Sequence, residues 1–223
     1  IGINHIDTAP SYGNAEIFVG EALKRLDYEG IMPIEGWVIT SKILPCVSLK
    51  EAKSILKSTL KKLSIRKLDN LAIHGINLSK HLDWALKEDG RKFIDWAKEN
   101  DLVGQVGFSS HGSFELIKNA LESNSFRFCS LHLHLLDPQR MSLAKYALEN
   151  SIGVIAISPA DKGGHLYNPS QKLIENCLHI NPLELAYRFL ISKGITTLTL
   201  GAKKSSDLNL AHKLINSDQP LSR

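Results

Sequence analysis

Asp7, Tyr12, Lys42 and His74 are the residues of this 223-residue chain whose types and spacing fit carbonyl chemistry. Asp7 and Tyr12 lie in INHIDTAPSYGNAE, Lys42 ends WVITSK, and His74 ends LDNLAIH. Hydride addition to a carbonyl carbon leaves an alkoxide, which needs a proton donor within hydrogen-bond reach. A phenol with an ordinary pKa of about 10 is a poor donor at neutral pH unless a cation eases its ionisation. Lys42 is the candidate cation, and Asp7 can hold its ammonium through a charge-assisted bond. His74 can donate to the carbonyl oxygen and fix its direction. Each residue alone also has a plain structural role: a tyrosine in a helix-start turn, a salt bridge, a histidine at a strand end. The case for chemistry rests on the four together.

Each apolar run before these residues reads as a short buried strand, and a helical pattern follows each one. The four side chains are therefore expected at the carboxyl ends of parallel strands, where barrel enzymes place their chemistry. INHIDTA, GWVITSKI, LDNLAIHG, VGQVGFSS, FRFCSLHLHLL, GVIAISP and ITTLTLG read as the strands. The first helix is expected from Asn14 to Leu26, with Ile17, Ala22, Leu23 and Leu26 on or near one face. Ser48 and Glu51 form a capping-box signature before a helix ending near Leu63. Helical pieces at Trp84–Leu86 and Phe93–Lys98 are broken at Gly90. Ser113 caps a helix to Leu121, and Arg140 to Glu149 is helical. Ala160 to Pro169 is a loop. Pro182 suits the first position of another helix, and Ser205 caps the last, which runs to about Ile215. Alternation of this kind implies a parallel sheet. The count is one strand–helix unit short of an α/β TIM (β/α)8-type barrel. Ile1 begins inside a strand pattern without a methionine, so the first βα unit is read as absent, and residues 1–223 as a single N-terminally truncated barrel domain.

A chain of this length can bury a sizeable core, and its hydrophobic fraction of 43% argues against disorder. The net charge of +4 is mild. Lys57, Lys61 and Lys62 fall on a helical pattern that reads as a solvated face, so no nucleic-acid partner is expected. No apolar run approaches the ~20 residues of a membrane span, and no signal peptide is visible. Cys46, Cys129 and Cys177 are odd in number and widely spaced, which suggests neither a disulfide framework nor a metal knuckle. A reducing cytoplasm fits these features.

The segments DTAPSYGNAE, TSK, LAIH, GQVGFSSHG, ISPADKGG and TLGAKKSSDL, in this order, resemble the aldo-keto reductases. HGIN, GFSSHG, LHLHLL and SPADKGGHLYNPS are similar to the subgroup of ferredoxin-type aldo/keto reductases. The resemblance implies reduction of a small-molecule aldehyde or ketone by NADPH, with NADH possible and Tyr12 as general acid. Subgroup members also carry a cysteine-rich iron–sulfur segment. Three cysteines cannot supply four thiolates, so no cluster is implied here.

By the same resemblance, Ser109 and Ser110 hold the nicotinamide carboxamide, with Ser110 standing where the family usually has Asn. Ser130 matches a family Gln or Asn. Ser158, Pro159, Asp161 and Lys162 open a Gly-containing loop that covers the pyrophosphate. Gly201, Lys203 and Lys204 sit where the adenosine phosphate binds. Asp207 stands where NADP-preferring members often have Arg, and so opposes the two lysines. Substrate-facing loops are expected after Lys42, near Trp84 and after Pro159.

His132 and His134 alternate on one strand face with Ser130. Two histidines at this spacing could ligate a metal, but no carboxylate or thiol at useful spacing accompanies them. Polar residues of a barrel interior or mouth are the preferred reading, and no metal site is assigned. Two rival functions stay open. One is a reductase-like regulatory subunit that holds nucleotide with little turnover. The other is a barrel enzyme using Lys42 as a Schiff-base nucleophile.

Overall fold

A computed structural model describes residues 3–178 and 180–215. The reading of Ile1 lies outside these residues. The described chain falls into two compact units that divide between Cys129 and Ser130.

In the first unit, strands β1 (His5–Asp7), β2 (Val38–Ile43), β3 (Leu68–His74) and β4 (Val103–Ser110) pair in parallel in chain order. The register sets Asp7 against Thr40, Lys42 against Ala72, and His74 against Ser109. The candidate side chains thus leave neighbouring strands near their carboxyl ends. Parallel strands covered on both faces carry continuous apolar runs, and Ile39, Ile43, Leu71, Ile73, Val106 and Phe108 are all buried. The Phe108 and Phe126 rings meet at 5.0 Å between centroids.

Helices α1 (Ala15–Tyr28), α2 (Leu49–Leu63), α3 (Ser79–Lys87), α4 (Asp89–Glu99) and α5 (Phe114–Glu122) follow the strands of this unit. Ser48 and Ser113 cap as expected, accepting from the N–H groups of Glu51 and Leu116. Two local expectations change. The buried face of α1 carries Glu16 and Gly20, whereas Ile17 is 39% exposed. Gly20 is needed because a Cβ there would lie 2.0 Å from the Lys62 carbonyl oxygen, so α1 crosses the end of α2 at backbone contact. The break between α3 and α4 falls at Glu88, not Gly90. Gly90 instead lets the Trp84 ring pack on the first turn of α4, where a Cβ would meet it at 2.6 Å. Trp84 is accordingly a core residue, 2% exposed, with its indole N–H donating to the Val47 carbonyl.

The second unit begins inside β5 (Phe128–His132) and contains β6 (Gly153–Ile157) and β7 (Thr197–Leu198). β6 and β7 pair in parallel, Ala156 against Leu198. β5 is shorter than its apolar run: it ends at His132, and the chain turns through an isolated antiparallel bridge between His134 and Asp137. Helix α6 (Met141–Glu149) follows a 3-10 turn over Pro138–Arg140. The stretch after Ala160 holds a further 3-10 turn, His165–Tyr167, and leads to a short helix α7 (Gln171–Asn176) that the sequence pattern did not announce. Pro182 opens α8 (Pro182–Ser192), and Asn181 caps it by accepting from the N–H groups of Leu183 and Glu184. Ala160, Leu166, Leu183, Ala186 and Tyr187 form a buried cluster with Leu198 and Leu210 packed against it. The last helix, α9 (Asn209–Ile215), is preceded by a 3-10 turn at Ser205–Leu208, so Ser205 lies inside that turn and does not cap α9.

Candidate active site

Lys42 projects from β2 into a nearly closed position, with its side chain 3% exposed. Its ammonium donates to Asp7 Oδ2 at 2.5 Å and to the Thr8 carbonyl at 2.9 Å. Two of its three protons are therefore fixed by β1 and the residue after it. Burial of an ammonium is tolerated only with such partners. The Lys42 Nζ also lies 4.9 Å from the centroid of the Tyr12 ring, in reach of a cation–π contact. Tyr12 lies in the turn after β1 and is 46% exposed, with the Lys42 cation close to its ring.

His74 meets the Tyr12 ring edge-on, with centroids 5.7 Å apart. Its Nδ1 lies 3.4 Å from the Ser11 hydroxyl. Burial, then the Lys42 charge, pull the His74 pKa below its ordinary 6.5, against the opposing pull of Asp7. A neutral imidazole keeps one N–H to donate and one lone pair to accept. The structure thus brings Asp7, Tyr12, Lys42 and His74 together.

Several residues of this arrangement were not singled out in the sequence. Glu16, 1% exposed, accepts from the hydroxyls of Ser41 at 2.8 Å and Thr59 at 3.0 Å, and so ties α1 and α2 to the strand residue next to Lys42. A carboxylate on the apolar stripe of a helix was the available signal. His5, two residues before Asp7 on β1, lies 2.7 Å from the hydroxyl of Thr40, the residue paired with Asp7. The Thr8 carbonyl is a backbone acceptor that no side-chain pattern announces.

Ser109 and Ser110 are buried, and much of their hydrogen bonding is internal. The Ser109 hydroxyl accepts from the Gly75 N–H at 3.0 Å. The Ser110 hydroxyl donates to the Ile76 carbonyl at 2.5 Å and accepts from the Gly112 N–H at 2.9 Å. Ser110 thus spends its only proton on the turn after β3 and has only acceptor capacity left for a ligand.

In the second unit, the buried Ser130 hydroxyl oxygen has no hydrogen-bond partner among the described residues. A polar group of a bound molecule would satisfy it. Ser158 has a positive φ of 55°, and Gly163 and Gly164 have φ of 78° and 75°, so the loop after β6 turns sharply around Pro159, Asp161 and Lys162. Asp161 accepts from the Lys162 N–H and lies 3.0 Å from His165 Nδ1. Burial pushes its carboxyl up, but these contacts and the neighbouring histidines outweigh that and hold it below the usual carboxylate range.

Gly201, Lys203 and Lys204 are exposed before the final turn and helix. The N–H groups of Lys203 and Lys204 both donate to Asp207 Oδ2, at 2.9 and 3.2 Å. Those bonds lower the Asp207 pKa. Both of these backbone donors are thus already turned onto a carboxylate of the chain.

A description of the Aldo/keto reductase family matches residues 1–215. An uncharacterized oxidoreductase of Schizosaccharomyces pombe is 26% identical over 225 residues, which span 97% of this chain and 76% of that protein. An aldo-keto reductase of Bacillus halodurans in its holo form superimposes with a TM-score of 0.81 at 19% identity, over 99% of this chain and 79% of the other. The aldose reductase of Schistosoma japonicum gives 0.72 at 24% identity, over 100% and 77% of the two chains. The fold class is therefore the α/β, (β/α)8-barrel type expected from the strand–helix alternation. Among the described residues no helix is long and apolar enough to cross a membrane. The chain is an oxidoreductase-type protein that belongs to the aldo/keto reductase family.

Proposed function

We propose that this chain reduces a small-molecule aldehyde or ketone to an alcohol with NAD(P)H, and that Tyr12 gives the proton. The observation that carries the reading is the buried Lys42 ammonium, fixed by Asp7 and the Thr8 carbonyl and set 4.9 Å from the Tyr12 ring. The nicotinamide supplies the hydride when bound. The orphaned Ser130 hydroxyl and the Gly163–Gly164 loop suit such a cofactor. In this reading Ser109, Ser110 and Ser130 serve the carboxamide, Ser158, Pro159, Asp161 and Lys162 the pyrophosphate, and Gly201, Lys203 and Lys204 the adenosine end.

The remaining steps belong to the chain. Neutral His74 donates its N–H to the carbonyl oxygen and orients it. As negative charge gathers on that oxygen, the Tyr12 phenol releases its proton to it. The Lys42 ammonium stabilises the phenolate left behind, an interaction that exists only once the proton has begun to move. Asp7 keeps the ammonium in place. The same contacts argue against Lys42 as a nucleophile, since an ammonium donating to a carboxylate and a carbonyl has no lone pair for attack.

The test is to incubate the chain with NADPH or NADH and a panel of aldehydes and ketones, and to quantify both cofactor oxidation and alcohol. Matched amounts of oxidised cofactor and alcohol are expected. Saturable nucleotide binding with no alcohol from any carbonyl would replace this reading with that of a regulatory nucleotide-binding subunit.

A further inference from the structure

We propose that His132, His134 and Asp137 form a binding site for a divalent transition-metal ion of the zinc class. The sequence offered only two histidines at a strand spacing, with no carboxylate to join them. The fold supplies one. β5 stops at His132, and the chain doubles back so that the Asp137 N–H donates to the His134 carbonyl at 3.2 Å. This turn brings a carboxylate three residues along the chain to the two imidazoles. One ligand atom from each of the three residues lies within 4.8 Å of the other two. The imidazole rings stand nearly perpendicular, with centroids 4.9 Å apart.

A second observation points to a ligand at the same place. His134 is 6% exposed, and its Nδ1 is buried without a hydrogen-bond partner among the described residues. A buried imidazole nitrogen left without a partner is costly, and a metal ion would satisfy it. The other nitrogen of His134, Nε2, faces Asp161 Oδ1 at 3.5 Å. A ligating histidine typically gives its second N–H to a carboxylate, which fixes the tautomer and raises the basicity of the ligating nitrogen. With the proton on Nε2, the Nδ1 lone pair is the one left for the ion. Asp137 also holds the turn, accepting from the Gln139 N–H through Oδ1, and its second carboxylate oxygen is the natural donor to the metal.

The donor set selects the ion class. Two imidazoles and one carboxylate suit zinc and its neighbours better than magnesium or calcium. Zinc–nitrogen and zinc–oxygen bonds of about 2.0–2.2 Å in a tetrahedron place donors about 3.4 Å apart. Binding must therefore draw these atoms inward by up to about 1.4 Å from their present separation, which the partly exposed His132 and Asp137 can do by side-chain rotation. Three protein ligands leave a fourth position for water or another small ligand.

The test uses the full chain carrying Cys46→Ser, so that the exposed thiol cannot compete, and titrates it with Co²⁺ while recording visible absorption. One equivalent should produce the intense bands of four-coordinate cobalt, and Zn²⁺ should abolish them. Asp137→Asn, which keeps an N-cap side chain, and His132→Gln should each weaken binding at least tenfold. Asp161→Asn should weaken it about 10–100-fold without removing a ligand. Thermal melts of the metal-free variants identify any that lose their fold. Asp137 lies in a partly exposed turn, so its variant decides the matter even if His132→Gln is unstable. Absence of saturable binding, a weak six-coordinate spectrum, or unchanged affinity in folded Asp137→Asn would each overturn the proposal. None of these readouts depends on whether the chain reduces carbonyls.

Discussion

The two units differ in how they hold the charged groups singled out from the sequence. In the first, Lys42 is buried, its ammonium is held by a carboxylate and a carbonyl, and its own strand is braced by buried Glu16 through Ser41. In the second, the carboxylates of Asp161, on a loop, and Asp207, in a 3-10 turn, bind backbone N–H groups, while buried polar atoms without a hydrogen-bond partner among the described residues occur in both units, at Asp7 Oδ1 and Thr8 Oγ1 as well as at Ser130 and His134. In the proposed reaction the groups around the proton donor must hold one geometry whatever is bound, and Asp7, Lys42 and His74 are carried by strands.

The sharpest way to break this comparison is in the first unit. Tyr12→Phe removes the proton and leaves the ring. We expect a loss of about 10²–10⁴-fold in turnover with nucleotide affinity unchanged, measured by steady-state kinetics and cofactor fluorescence. Turnover near wild type would show that the proton comes from elsewhere.

Lys42→Met should lower turnover strongly and also destabilise the fold, because it strands the Asp7 carboxylate. Breaking a buried pair costs about 3–5 kcal/mol, and the 20% exposure of the Asp7 side chain puts the expected loss at or below the low end. Denaturant unfolding reads it directly. Equal stability would mean that the pair is solvated in solution.

The second unit predicts a smaller, selective effect. Asp207→Ala frees the N–H groups of Lys203 and Lys204 and removes a negative charge beside them. The kcat/KM ratio for NADPH over NADH should rise roughly tenfold, or about 1.4 kcal/mol. An unchanged ratio would mean that neither lysine meets the 2′-phosphate.

The smallest effect concerns acid. Burial, chiefly, places the His5 and His74 pKa values below the ordinary 6.5. Below that value the unfolded chain binds more protons than the folded one. Their contribution to stability is thus present above pH 6.5 and is lost as the pH falls through the folded values. His74→Gln should show a shallower fall in Tm between pH 7 and pH 5 than wild type. A parallel fall would assign the acid sensitivity elsewhere.

How much of this was legible in the sequence follows the range of the forces involved. Strand runs ending at Lys42 and His74, and the caps at Ser48 and Ser113, depend on neighbours a few residues away and could be read. What escaped depends on contacts across the fold. Gly20 is set by the Lys62 carbonyl, the burial of Glu16 by Ser41 and Thr59, and the approach of Asp137 to two histidines by the early end of β5. Family resemblance placed Ser110 and Lys203 near a cofactor, but not the backbone hydrogen bonds that occupy Ser110 or the carboxylate that occupies the Lys203 N–H.

The central claim is that Lys42 acts through Tyr12, and a double-mutant cycle on hydride transfer in a single turnover tests it most directly. If the ammonium serves only to stabilise the phenolate, Lys42→Met should cost little more once Tyr12→Phe has removed the phenol, because residues that act as a unit are strongly non-additive. The double variant should then react about as slowly as Tyr12→Phe alone. Losses that multiply, with the double variant slower by the product of the two single effects, would show that Lys42 and Tyr12 work independently and would contradict the account.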